Sequence, residues 1–128
     1  MQLVHRSTSG PLPTSTFVLQ DAGQEAGFIQ IRHRPSHGKG VPAECASHVY
    51  YEVHEPYRRR GYGTKLLELG KAEALRLGLK AIIVGCFSTN PASKRIIERN
   101  GGDLQNVCCT EDGKTIFSYR IELQNVAE

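Results

Sequence analysis

The hydrophobic period changes twice between residues 46 and 87, and this change limits the folds open to the chain. Residues 46–56, ASHVYYEVHEP, are strand-like. Apolar residues then recur at helical spacing from Tyr62 to Leu77, and Gly78 is a stop signal. Residues 79–87, LKAIIVGCF, are apolar almost throughout, as in a strand buried on both faces. A strand, a helix and a buried strand in this order predict a parallel pair with a right-handed crossover.

Further strands flank this centre. Alternating or β-rich segments occupy residues 16–21 and 27–35 before it. Two more, roughly 103–110 and 115–123, follow it and are joined through the hairpin signal Asp112-Gly113. Short connections favour antiparallel neighbours, so the predicted fold is mixed α/β, with a mostly antiparallel sheet, a central parallel pair and helices on the faces.

A second helix is marked at both ends. Asn90 is a side-chain cap, Pro91 suits the first helical position, and Gly101 stands just past the end. Residues 1 to about 15 contain many turn formers and are predicted to be a loop or loose end, and residues 36–45 a flexible loop. With 128 residues, the sequence predicts a single domain over 1–128.

Composition excludes several classes of protein. The net charge is only +3, which does not suit a general polyanion binder. The four cysteines contain no C-x-x-C pair, so no metal site is expected, and we expect the thiols to be reduced in a cytoplasmic protein. The sequence contains neither a long apolar run nor the apolar middle of a signal peptide, so no membrane association is expected.

The densest positive charge stands where the central strand gives way to the helix. Arg58, Arg59 and Arg60 precede a glycine-rich helix start, which is completed by Gly61, Tyr62, Gly63 and Thr64. A helix start exposes N–H groups without internal partners and carries partial positive charge, so it attracts a phosphate. Glycines let the phosphate approach the backbone, and arginines add charged hydrogen bonds. These residues predict a pyrophosphate cradle; a solvated turn and a nucleic-acid patch are the alternatives.

The arrangement resembles a known superfamily. A Walker loop and a dinucleotide fingerprint both fail on glycine spacing. Arg58-x-x-Gly61-x-Gly63 instead resembles the acetyl-coenzyme A motif of the GNAT superfamily of N-acetyltransferases. The segment from Asn90 to Ser93, followed by IIERNGG, is similar to that family's second motif. The resemblance covers roughly residues 26–123 and is strongest to small predicted acetyltransferases.

This resemblance implies roles for individual residues. Backbone groups of Tyr51, Glu52 and Val53 would pair with the pantetheine arm, while the central strands splay to leave a coenzyme slot. Backbone N–H groups from Arg59 to Thr64 would hold the pyrophosphate. Asn90 and Ser93 would lie beside the arm near its reacting end. Acetyl-CoA would be the cosubstrate, and no metal is implied.

The attacking amine must lose a proton, since a lysine-like amine is mostly protonated at neutral pH. His48 is our first candidate base and Glu52 the second; His54 lies closer to the phosphate loop. A surface position on the strand is the alternative for each of them.

Two departures from the family pattern affect this interpretation. Ile97 stands where many members have a tyrosine that protonates the departing thiolate. Either the acid is dispensable, or water or Cys86 supplies it; the alternative for Cys86 is a small core residue. The two helices that usually follow the first strand have no counterpart between Phe17 and Phe28. The acceptor side should therefore be open, or completed by a partner chain such as a homodimer mate.

The sequence therefore predicts acetyl transfer from acetyl-CoA to an unidentified amine acceptor, either a small molecule or a protein amine. A coenzyme A-binding protein without catalysis, such as a sensor, is the first alternative. A nucleic-acid module that uses Arg58–Arg60 is the second, and its binding would be steeply salt-dependent.

Overall fold

The computed structural model describes residues 1–10 and 13–123. Seven strands form one sheet in the order β1-β2-β3-β4-β5-β7-β6. The strands are β1 (Gln2–Ser9), β2 (Thr14–Asp21), β3 (Gln24–Ser36), β4 (Ser47–Val53), β5 (Ala81–Phe87), β6 (Asp103–Cys109) and β7 (Thr115–Glu122). The helices are α1 (Tyr62–Arg76) and α2 (Pro91–Arg99), with short 3-10 turns at Ala43–Cys45 and Glu55–Tyr57.

The central pair is parallel, as the sequence predicts, and all other neighbouring strands are antiparallel. β4 and β5 are in register only at Val49 and Val84. Beyond that position the two strands separate toward their carboxyl ends. The predicted mixed α/β sheet with a splayed parallel pair is therefore confirmed.

Both helices pack on one face of this sheet, here called the helix face. Leu66 and Leu67 of α1 and Ile97 of α2 are fully buried against strand residues such as Ile29 and Val84. The fit of α1 is close, because a Cβ on Gly70 would lie 2.5 Å from Cδ1 of Ile29. Ile97 therefore belongs to the core, and it cannot act as a proton donor.

Strand alternation separates the two faces at the functional region. Val49, Tyr51 and Val53 of β4 contact the helix-side core. Their neighbours Tyr50 and Glu52 point to the other side, since successive strand residues alternate. This second side is called the open face.

The N-terminus differs from expectation. Residues 1 to about 15 were predicted to be a loop or loose end, but Gln2–Ser9 form β1, which pairs antiparallel with β2. β1 is an edge strand, and nearly all of its residues are exposed. With no buried side, the strand needs no alternation of apolar and polar residues, so the sequence carried no pattern to detect.

The segment between β3 and β4 also differs from expectation. The sequence predicted a flexible loop over residues 36–45. The structure ends β3 at Ser36 and connects it to β4 through residues 37–46, here called the strap, which are tied to the β6–β7 hairpin. Cys45 forms a disulfide with Cys108, 63 residues away. Asn106 Nδ2 donates to Glu44 O, and Glu111 N donates to Gly40 O, each at 3.0 Å. The expectation of four reduced cysteines is therefore wrong; only Cys86 and Cys109 are free.

In the described part of the chain, no helix combines the length and apolar character needed to cross a membrane.

Candidate functional site

A cavity of about 1010 Å³ lies where β4 and β5 separate. It is lined by Tyr51 and Val53 from the helix face and by Tyr50 and Glu52 from the open face. Because residues of both parities line it, the cavity passes through the sheet at the split. It therefore offers a ligand one mouth among the helices and another on the open face.

The arginine and glycine segment forms the helix-side mouth. Arg58, Arg59, Gly61, Gly63 and Thr64 line the cavity there. Arg60 and Tyr62 do not: the hydroxyl of Tyr62 donates instead to Asp21 Oδ2, at 2.5 Å. The roles predicted for these residues rest on backbone N–H groups and stay predictions.

Gly61 supplies the conformation that this turn needs. It precedes α1 with φ of +80°, and Arg59 is also left-handed, with φ of +65°. Turns of this kind orient N–H groups into concave anion sites. No heavy atom lies within 4 Å of the position where a Cβ of Gly61 would stand. The helix start also has no side-chain cap, so its first N–H groups remain available to an anion.

Gly63 has a second reason to be glycine. The sequence assigned both glycines to close approach by a phosphate. A Cβ on Gly63 would lie 2.5 Å from Cδ1 of Ile96, so this position lets α1 and α2 pack together. Gly63 also lines the cavity, so packing adds to the predicted approach of a phosphate, which stays a prediction.

One of the β4 backbone groups predicted to pair with the pantetheine arm already has a hydrogen-bond partner. Arg58 Nε donates to the carbonyl of Val53 at 2.8 Å. A pantetheine arm that paired with this carbonyl would have to displace Arg58. In this conformation Arg58 therefore shapes the loop, which its exposed position alone would not have revealed.

The second motif meets β4 inside the cavity. Asn90 Oδ1 accepts a hydrogen bond from Ser93 N at 3.1 Å, which confirms the predicted cap. Ser93 Oγ lies 2.6 Å from the hydroxyl of Tyr51. Burial raises the pKa of Tyr51, so its hydroxyl stays protonated at neutral pH. Sequence reasoning gave Tyr51 only a backbone role and missed this side chain.

The two candidate bases occupy different environments. Glu52 lines the cavity, and its Oε1 accepts a hydrogen bond from the Tyr50 hydroxyl at 3.2 Å. His48 is buried outside the lining, and its Nδ1 accepts from the backbone N–H of Ile83 at 2.9 Å. Burial, followed by the charges of Arg32 and Arg120, lowers the pKa of His48. His54 Nε2 lies 2.8 Å from Glu25 Oε2, and His54 is also outside the lining.

Other lining residues were missed by sequence reasoning. Arg95 and Arg99 lie one turn apart on α2, a spacing that could have marked them as a cationic face. Arg32 and parts of the strap line the open-face mouth, where only the tertiary structure brings them. Cys86 lies at the inner wall, and burial raises the pKa of its thiol. Among the described residues, no group of His, Cys, Asp and Glu could hold a metal.

The fold and the cavity define a class of mixed α/β proteins in which a split parallel strand pair carries a ligand slot beside a glycine-rich helix start. Residues 4–102 match the family model described as "Acetyltransferase (GNAT) family". The chain therefore belongs to the GNAT acetyltransferase family.

Solved structures share this fold at low sequence identity. The candidate acetyltransferase yncA of Salmonella typhimurium, solved with its cofactor acetyl-CoA, is 20% identical, with a TM-score of 0.68 over 90% of this chain and 68% of that one. The ribosomal-protein-S18-alanine N-acetyltransferase of Escherichia coli is 21% identical, with a TM-score of 0.67 over 94% and 75%. A mutant spermidine N-acetyltransferase of Vibrio cholerae is 14% identical, with a TM-score of 0.69 over 86% and 66%. Comparison with curated proteins gave no significant match.

Proposed function

We propose that the protein transfers the acetyl group of acetyl-coenzyme A to an amine. The observation that carries this proposal is the cavity through the sheet, with an anion-binding helix start at one mouth and a carboxylate at the other. Family membership supports it, and so do the solved neighbours, which are named for acetyl transfer to amines or contain acetyl-CoA.

The cavity fits the coenzyme on its own chemistry. Backbone N–H groups from Arg59 to Thr64 would hold the pyrophosphate, while Arg58, Arg59, Arg95 and Arg99 supply positive charge around it. The pantetheine arm would run between β4 and β5, beside Asn90 and Ser93. Backbone groups of Tyr51 and Val53 would pair with it as an added strand does, since those of Glu52 face β3.

We assign the base to Glu52 ahead of His48. A backbone N–H can only donate, so His48 Nδ1 must be the unprotonated ring nitrogen, and neutral His48 carries its proton on Nε2. Its one free lone pair is therefore already engaged, and accepting a proton would break the bond to Ile83. Glu52 faces the cavity and remains able to accept a proton.

The reaction would be a direct transfer. The amine nitrogen bonds to the thioester carbonyl carbon, and its surplus proton passes to Glu52 or through it to water. The carbon–sulfur bond then breaks. The departing thiolate takes a proton from the Tyr51 hydroxyl, which regains one through Ser93 and solvent. Tyr51 would thus supply from β4 the proton that Ile97 cannot supply from α2.

A coenzyme A-binding protein without catalysis is the second candidate, because Ile97 is fully buried and His48 is engaged. A thermal-shift titration with acetyl-CoA, followed by thiol release with an amine panel, separates the two. Stabilisation by ligand linkage together with amine-dependent thiol release supports transfer. Stabilisation without release from any amine supports the sensor, and no stabilisation by a large excess contradicts both. Cytoplasmic location and self-association through an edge strand or a partner chain remain predictions.

A further inference from the structure

The open-face mouth of the cavity has a charge pattern of its own. Arg32 and His37 line it together with Tyr50 and Glu52. This mouth lies across the sheet from the arginine and glycine turn. A coenzyme whose phosphates bind at that turn would not place them against Arg32. The charge of Arg32 is therefore available to the acceptor.

Arg32 is held in place but has no acidic partner. Its Nη1 donates to the carbonyl of Ser47 at 3.3 Å, which fixes the guanidinium beside the start of β4. Among residues 1–10 and 13–123, no carboxylate lies within ion-pair distance of it. Arg120 contrasts with it, because its Nε is paired with Glu122 at 2.6 Å.

The charge of Arg32 affects a neighbouring histidine. The pKa of buried His48 is lowered first by burial and then by Arg32 and Arg120. Glu52 is the only acidic side chain among the described residues that line the cavity, and the Tyr50 hydroxyl donates to it. The open-face mouth thus offers one carboxylate and one unpaired guanidinium.

We propose that the acceptor is a small amine that also carries an anionic group, a carboxylate or a phosphonate, which Arg32 binds while the amine faces Glu52. The inference rests on the function proposed above. A guanidinium binds such groups through paired, charge-assisted hydrogen bonds. The amine then forms the new carbon–nitrogen bond, its proton leaves through Glu52, and the thiolate departs as described.

The spacing of the two residues limits the length of the acceptor. Phe28 of β3 pairs with Glu52, and Arg32 stands four residues farther along β3, roughly 13 Å of strand. The bond from Arg32 to Ser47 O directs the guanidinium toward the start of β4, away from Glu52, so the acceptor must carry its anionic group several bonds from the reacting amine. A polyamine would bring further cations against Arg32, and like charges at close range repel each other.

A matched amine panel tests the proposal on the wild-type protein. An ω-amino acid whose carboxylate lies several bonds from its amine and the matching carboxamide present the same amine with and without the anionic group, and spermidine presents a polycation. We expect kcat/KM for the amino acid or the corresponding aminophosphonate to exceed that of its neutral partner at least tenfold. The carboxamide is the less basic amine and is more deprotonated at neutral pH, so intrinsic reactivity cannot produce this preference. A preference for spermidine or for the neutral amines would overturn the proposal.

Variants of two arginines on β3 test whether Arg32 causes the preference for amines with an anionic group. Arg32→Gln should raise KM for the anionic amines at least tenfold and leave KM for acetyl-CoA unchanged, while Arg32→Lys should recover part of the loss. Arg34→Gln is the matched control, because Arg34 is exposed on the same strand and lies outside the cavity. Equal effects of Arg32→Gln and Arg34→Gln would overturn the assignment.

A binding measurement separates this inference from the proposed function. Calorimetric titration of the coenzyme A-saturated protein with an anionic amine reports binding without turnover. Binding that Arg32→Gln weakens, in a protein that turns over no amine, supports the subsite and contradicts acetyl transfer. Turnover of amines with no preference for an anionic group supports acetyl transfer and contradicts the subsite. Absence of both binding and turnover overturns the inference.

Discussion

The backbone N–H of Ile83 on β5 donates a 2.9 Å hydrogen bond to Nδ1 of His48 on β4. The bond joins the two parallel strands one residue before the Val49–Val84 pair, at which regular pairing between them ends. It therefore holds the closed end of the split from which the cavity opens. We propose that His48 stabilises the geometry of the slot, and its role as the base stays a prediction that the variants below test.

Removal of this acceptor should destabilise the protein. His48→Leu leaves the Ile83 N–H buried without a partner, at a cost of about 1–3 kcal/mol in the free energy of unfolding. His48→Asn keeps an acceptor near the Nδ1 position and should cost clearly less. Urea denaturation measures both. If His48→Asn instead folds normally and loses turnover by a hundredfold, His48 is the base after all.

The lowered pKa of His48 predicts how stability depends on pH. The unfolded chain takes up a proton near pH 6.5, while the folded protein resists doing so because burial, Arg32 and Arg120 disfavour the charged ring. The contribution of this group is therefore complete above pH ~6.5 and is lost as pH falls from there toward the lowered folded pKa.

The wild type should accordingly lose more stability between about pH 7 and pH 5 than His48→Asn does, because the variant lacks this titration. Denaturant melts at several pH values give the difference, and carboxyl groups common to both proteins cancel in it. Parallel pH profiles of wild type and variant would show that the pKa of His48 is the same in the folded and unfolded states.

The central fold could be predicted because its signals are local. The helix start at Tyr62, the buried strand over 79–87 and the cap at Asn90 were each predicted from neighbouring residues. The structure has all three, with the strand beginning at Ala81. The disulfide could not be predicted, because nothing local marks Cys45 and Cys108 as partners across 63 residues.

The candidate site was predictable only where it depends on backbone. The helix start at Gly61 follows from sequence, because its glycine and arginines are contiguous. The bond between the Tyr51 and Ser93 hydroxyls and the bond from the Ile83 backbone N–H to His48 depend on how β4 meets distant elements, so spacing could not reveal them. Parity along β4 placed His48 and Glu52 on one face, but not the burial that separates them.

Gly63 should be required for helix packing. Gly63→Ala places a Cβ 2.5 Å from Ile96 Cδ1, the free end of a half-buried side chain that can turn aside, so we expect a loss of about 1 kcal/mol, the low end of the range for overpacking. Ile96→Ala should relieve the clash. The double variant should therefore lose less free energy of unfolding than the two single variants lose together. Thermal melts of all four proteins measure this coupling.

Gly61→Ala is the control, because its cost comes from the left-handed backbone and not from a neighbour. We expect a loss of about 1–2 kcal/mol that Ile96→Ala does not relieve. Equal relief of both glycine variants by Ile96→Ala would contradict the packing explanation.

The disulfide should stabilise the strap and with it the open-face mouth. Cys108→Ser opens a loop of 63 residues, and the chain-entropy model predicts a loss of roughly 4 kcal/mol. KM for the amine should rise because Val41 and Cys45 line that mouth. Cys109→Ser changes the adjacent exposed free thiol, and it should neither lower stability nor raise KM for the amine. Loss of stability by Cys109→Ser alone would mean that the other pairing forms in solution.

The Tyr51 hydroxyl should matter for breaking the carbon–sulfur bond. Tyr51→Phe removes only the oxygen that lies 2.6 Å from Ser93 Oγ and preserves the ring that packs against the core. We expect kcat to fall about a hundredfold, the lower end of the range for a lost acid, because a thiolate is already a fair leaving group. KM for acetyl-CoA should change little. Steady-state kinetics with a fixed amine measures both.

The pH profile and a second tyrosine test whether the fall in kcat of Tyr51→Phe reflects lost proton donation. Since burial raises the pKa of Tyr51 above its usual value near 10, the wild type should show no falling limb from this group below about pH 10. Tyr62→Phe removes a comparable hydroxyl, bonded to Asp21 outside the cavity, and should alter stability without altering kcat. A Tyr51→Phe enzyme with normal kcat and a raised KM for acetyl-CoA would make the tyrosine a positioning residue. The thiolate would then leave without a proton from the protein.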